Sequence, residues 1–115
     1  MEKKELEKRT KDFALAVIRF VASLTKNRVA DVLGRQLLKS GTSIGANYRE
    51  ANHAESRADF IHKIGIVEKE AGETQYWLEL CDGSGIGNSE EQQILMKEAN
   101  ELVAIFTSIG KSTKK

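Results

Sequence analysis

The chain is 115 residues long with a formal charge of +1, one cysteine and no proline; 30% of its residues are charged and 40% hydrophobic. That length fits one domain, and the hydrophobic content is enough for a core, which argues against disorder. No 18-residue apolar run is present to span a membrane, Cys81 alone forms no internal disulfide, and a near-neutral charge argues against a protein that coats nucleic acid uniformly.

A chain without proline permits long unbroken helices. Aromatic residues are scarce at 6% and β-branched runs are short, so an all-α fold is expected. The N-terminal run MEKKELEKRTKD is charged and has no apolar core before Phe13, so it does not read as a secretory signal. With the single cysteine, this makes the expected location cytoplasmic. The first helix is predicted over about residues 6–24. Phe13, Val17, Phe20 and Leu24 follow helical spacing, and Ala14, Ile18 and Val21 form a second stripe beside them. From Phe13 to Leu24 only Arg19 and Ser23 are polar. An apolar arc that wide exceeds what one side of a small bundle buries, and it predicts self-association.

A short polar turn leads to a second helix over about 28–53, with Leu33, Leu37, Ile44, Tyr48 and Ala51 on its inner face. Gly34, Gly41 and Gly45 lie within it. Each costs roughly 0.8–1 kcal/mol against alanine inside a helix. Either a neighbouring helix approaches closely there, or the helix kinks. Ser56 with Asp59 fits a capping-box variant opening a third helix over 57–81. Phe60, Ile64, Val67, Ala71, Thr74 and Leu78 share one stripe of it, flanked by Ile66 and Trp77. The segment DGSGIGNS, residues 82–89, is the clearest loop. Ser89 with Gln92 is a second capping box, for a fourth helix over about 90–109. Leu95, Ala99, Leu102, Phe106 and Ile109 are its inner residues, and Gly110 is placed to end it. Residues 111–115 are expected to be a frayed basic tail. Four helices with short connections predict an antiparallel up-down-up-down four-helix bundle.

The run QLLKSGTSIGAN (Gln36–Asn47), then Glu50, a turn to Ser56, DFIHK (Asp59–Lys63), Glu70, Glu73 and WLEL (Trp77–Leu80) resembles the 23S rRNA intervening-sequence protein family, also called the four-helix-bundle family. The resemblance implies an up-and-down bundle, often assembled as a pentameric ring. Some members are encoded within insertions in ribosomal RNA genes. A related branch, the accessory variability protein of diversity-generating retroelements, binds nucleic acid and a reverse transcriptase. The resemblance transfers no enzymatic activity to particular residues.

Two constellations stand out. Glu70 follows Ile66 and Val67 and precedes Thr74 and Trp77, which places its carboxylate beside the apolar seam. A buried charge there needs a partner. Asn47, Glu50, Glu70 and Glu73 are therefore read as a structural polar network, with Asn47 as the donor to Glu70. The alternative is a metal or acid-base site, since Glu50-Ala51-Asn52-His53 has the Glu-x-x-His spacing of di-iron bundles once; Glu70 and Glu73 have no equivalent histidine. Arg28, Arg35, Lys39 and Arg49 form one stripe of the second helix, a candidate nucleic-acid contact or else a solvated face without aromatics to stack bases. Tyr48 and Tyr76 are placed in the bundle, His53 and His62 on the surface, and Cys81 is read as a small apolar filler.

Charge is uneven along the chain. Residues 1–56 carry 11 Lys/Arg and 7 Asp/Glu, whereas residues 57–110 carry 4 and 10. A head-to-tail assembly would let the basic half meet the acidic one. The expected protein is a non-enzymatic binding or scaffold module that forms a homo-oligomer, with no catalytic residue, metal or cofactor and no membrane partner. The alternative is an accessory factor that binds RNA or DNA.

Overall fold

Asn27, Ser56 and Asn88 each stand in extended backbone one residue ahead of a helix. Their side-chain oxygens accept from the N–H groups of Ala30 at 2.8 Å, Asp59 at 3.0 Å and Glu91 at 2.9 Å. Each bond satisfies a donor that has no partner within the first turn. The computed structural model describes residues 1–114. Its elements are α1 (Lys3–Ala22), α2 (Arg28–Asn52), α3 (Arg57–Gly83) and α4 (Ser89–Thr113). Consecutive helices pack side by side, α4 returns to α1, and the backbones of the diagonal pairs α1/α3 and α2/α4 stay apart, meeting only through core side chains. This is the up-and-down bundle that four amphipathic helices with short loops require. It measures 44 × 22 × 20 Å.

The core is filled by Val17 and Phe20 from α1, Leu37 and Ile44 from α2, Ile64, Val67 and Leu78 from α3, and Leu102 and Phe106 from α4. The Tyr48 ring stands edge-on to Phe106, with centroids 5.2 Å apart. The glycines of α2 hold α1 close. A Cβ on Gly41 would lie 3.0 Å from both Val17 methyls, and one on Gly45 would lie 3.1 Å from Thr10 Oγ1. The helix runs unbroken through them, so close approach and not a kink accounts for them. The Thr10 hydroxyl is itself satisfied by the Leu6 carbonyl at 2.9 Å.

Several boundaries differ from expectation: α1 starts and ends a few residues earlier, and α3 continues through Asp82 and Gly83, which shortens the expected 82–89 loop to 84–88. The α4 cap is Asn88 and not Ser89, because Gln92 is buried and its Nε2 donates to the Leu78 carbonyl at 3.0 Å. Gly110 does not end α4. It is buried with helical backbone against the Glu68 carboxylate, which a side chain here would displace. The helix continues to Thr113, whose carbonyl accepts from Arg57 Nη2 at 2.7 Å. The expected frayed tail is thus helical through residue 113; Lys114 follows as the cap and Lys115 lies outside the described residues. Left-handed backbone occurs at Gly85 (φ 69°) and Gly87 (φ 85°), and Gly87 also packs against the Phe20 ring, which shapes the α3–α4 loop.

Candidate interaction surfaces

The polar tie between α2 and α3 is made by hydroxyls. Ser40 and Thr74 are both buried, and their side-chain oxygens are 3.0 Å apart. Thr74 Oγ1 also lies 2.8 Å from the Glu70 carbonyl. Each hydroxyl has one proton, so Thr74 serves the carbonyl and Ser40 serves Thr74. The expected network of Asn47, Glu50, Glu70 and Glu73 is not formed. Asn47 Nδ2 donates to the Ser43 carbonyl of its own helix at 2.8 Å. The Glu70 side chain is half-buried on the flank of α3, and its carboxylate does not meet Asn47. Glu50, 61% exposed, pairs loosely with Lys63 at 3.7 Å, and Glu73 is exposed. Among the described residues, no three His, Cys, Asp or Glu side chains converge as metal ligands.

Arg28, Arg35, Lys39 and Arg49 all lie exposed on the outer face of α2. Among the described residues, none of the four makes an ion pair with an acidic side chain. Tyr76, expected in the bundle, is instead 54% exposed and stands edge-on to Trp77 with centroids 5.2 Å apart. Cys81 is buried, and burial pushes its thiol pKa up.

The fourth side of the bundle carries a feature the sequence did not reveal. Helices α1 and α4 touch only sparsely, and an open groove of about 690 Å³ runs between them. Phe13, Ala16 and Leu95 form its floor, and Ile94, 69% exposed, forms its lip. Arg9 crosses the groove. Its guanidinium donates to Glu98 at 2.6 and 2.7 Å and to Glu101 at 2.9 Å. The bond to Glu98, more than that to Glu101, raises the Arg9 pKa above its ordinary value. Arg9 is separated by 89 residues from Glu98, so no local spacing marks the pair. Leu15 and Ile18, 40% and 43% exposed, extend the apolar surface around α1, as the wide arc of that helix required. No helix among the described residues is long and apolar enough to cross a membrane.

Fold and surfaces define an all-α, up-and-down four-helix bundle with a charged outer helix and an apolar seam. The model of the 23S rRNA-intervening sequence protein family matches residues 2–108, and the chain belongs to that family. A crystal structure at 1.70 Å of a protein of unknown function from the S23 ribosomal protein family of Bacteroides thetaiotaomicron VPI-5482 is similar, with 38% identity and a TM-score of 0.86. The alignment covers 96% of this chain and 99% of that one. No curated protein matches.

Proposed function

We propose that this protein is a non-enzymatic binding or scaffold module that works in the cytoplasm as a homo-oligomer. The observation that carries the reading is Ile94, 69% exposed on the lip of a groove floored by Phe13, Ala16 and Leu95. With Leu15 and Ile18 it leaves three large apolar side chains in water on two adjacent helices. Fully burying such a side chain is worth roughly 1.5–3 kcal/mol, and an exposed apolar side chain at the lip of an apolar groove favours an interaction site there. Five copies is the count implied by the family resemblance. Light scattering at micromolar concentration should give a multiple of the 12.8 kDa chain mass, and Ile94→Asp should lower it. A monomeric wild type rejects the reading, whereas a dimer or tetramer rejects the count alone.

A second reading, nucleic-acid binding, is supported by the exposed and unpaired cations of α2. Arg28 to Arg49 would follow a backbone for about 30 Å at the helical rise. Retention of an RNA oligonucleotide should then fall steeply with salt, and Arg35→Glu with Lys39→Glu should weaken it further. Absence of retention at low salt rejects this reading.

A further inference from the structure

We infer that the outer face of α2 on one copy lies antiparallel along the α4 lip of the groove on the next, with Val32 packed on Ile94. This rests on the assembly reading above and names its contact. Val32 and Ile94 are 53% and 69% exposed. Cations flank Val32, and carboxylates flank Ile94 together with Lys97 three residues on. Val32 has Arg28 four residues before it and Arg35 three after it; Ile94 has Glu91 three before and Glu98 four after. Residues three and four apart share a helix face. The two patterns are mirror images in sequence. Run antiparallel with Val32 on Ile94, they bring Arg28 to Glu98 and Arg35 to Glu91. Run parallel, they would pair Arg28 with Glu90 but set Arg35 against Lys97, one attraction and one repulsion where the antiparallel run has two attractions, so charge favours the antiparallel direction.

The charges are available for this contact. Among the described residues, Arg28, Arg35 and Glu91 make no ion pair. Glu98 is held by Arg9, but Glu98 and Glu101 share that one guanidinium, which leaves an excess negative charge at the lip. Protein suits the α2 face better than nucleic acid does, because valine and not an aromatic side chain stands among its cations. Helices α2 and α4 stand diagonally across the bundle, so their outer faces point to different neighbours of one copy. Each copy gives α2 to one neighbour and takes α2 from another. Such a head-to-tail contact closes a ring or extends a filament.

The test is the mass in solution of Arg35→Glu, Glu91→Arg and the double variant. Each single reversal should weaken association about tenfold or more, and the double should recover it. Val32→Asp, which removes the apolar half, should also weaken it. Thermal melting of each variant checks the fold, since both charged positions are exposed. A wild-type assembly unmoved by Arg35→Glu and Val32→Asp overturns this contact and leaves the assembly reading standing. So does a double variant as weak as its parents. A monomeric wild type overturns both. If Arg35→Glu keeps the mass but abolishes retention of a single-stranded RNA oligonucleotide, the α2 face belongs to nucleic acid and the inference fails.

Discussion

Thr74 and Ser40 form a hydrogen bond in the tightest part of the molecule, and neither side chain has access to water. Thr74→Val keeps the shape and removes the acceptor of the Ser40 proton. A buried polar group left without a partner costs about 1–3 kcal/mol. Ser40 can fall back on the Leu37 carbonyl at 3.4 Å, which puts the expected loss in the lower half of that range. Denaturant melts of Thr74→Val, Ser40→Ala and the double check this; the double should lose less than the sum of the singles. Cys81 and Tyr48 give a pH dependence. Burial raises the Cys81 thiol from 9.0 and the Tyr48 phenol from 10.0. Both are neutral when protonated, so the folded state holds their protons more tightly than the unfolded chain does. Their contribution is complete below those ordinary values and is lost as pH rises through the raised ones. The melting midpoint should therefore fall on raising the pH above 9, and Cys81→Ala should flatten the first part of that fall.

Elements were legible where one periodicity and one cap agreed. The stripe from Ile64 to Leu78 and the Ser56–Asp59 cap gave α3 its start and its buried face. At α4 the spacing pointed to Ser89 with Gln92, whereas Asn88 is the cap, because Gln92 is buried, a tertiary fact. Asn47 and Glu70 were paired by motif, but the amide of Asn47 had a nearer acceptor one turn back at Ser43. The Ser40–Thr74 bond did leave a trace, since Thr74 is a hydroxyl on an apolar stripe, but its partner is 34 residues away. Glycines separate by neighbourhood. Gly41 faces Val17 across a helix contact, whereas a Cβ on Gly65 or Gly72 meets nothing within 4 Å. Gly41→Leu should overpack and cost about 1–3 kcal/mol. Gly65→Ala and Gly72→Ala should each stabilise by up to about 1 kcal/mol through helix propensity. Thermal melting of the three variants decides it, and a rise for Gly41→Leu would refute close packing.

At the scale of the whole bundle, the four sides are unequal. Side α2/α3 has the longest contact and the buried hydroxyl pair; side α1/α4 has sparse contact and depends on Arg9. Charge is unequal in the same sense, with unpaired cations outside α2 and carboxylates crowded on α4. Such polarity gives a molecule two different ends for association. It also grades the molecule's resistance to opening. Helix α1 is fastened by the glycine face of α2 on one edge and by a single guanidinium on the other. Amide protons of α1 should thus exchange with deuterium through a partial opening in which α1 swings away while α2 and α3 stay folded, and those of α2 and α3 should exchange last. Arg9→Ala should accelerate exchange in α1 well before it changes exchange in α2 and α3. Uniform acceleration in all four helices would mean that the bundle opens as one unit. A partner that fills the seam would slow α1 most of all, so the same groove that leaves this helix loosely tied also makes its amides the most sensitive reporters of assembly.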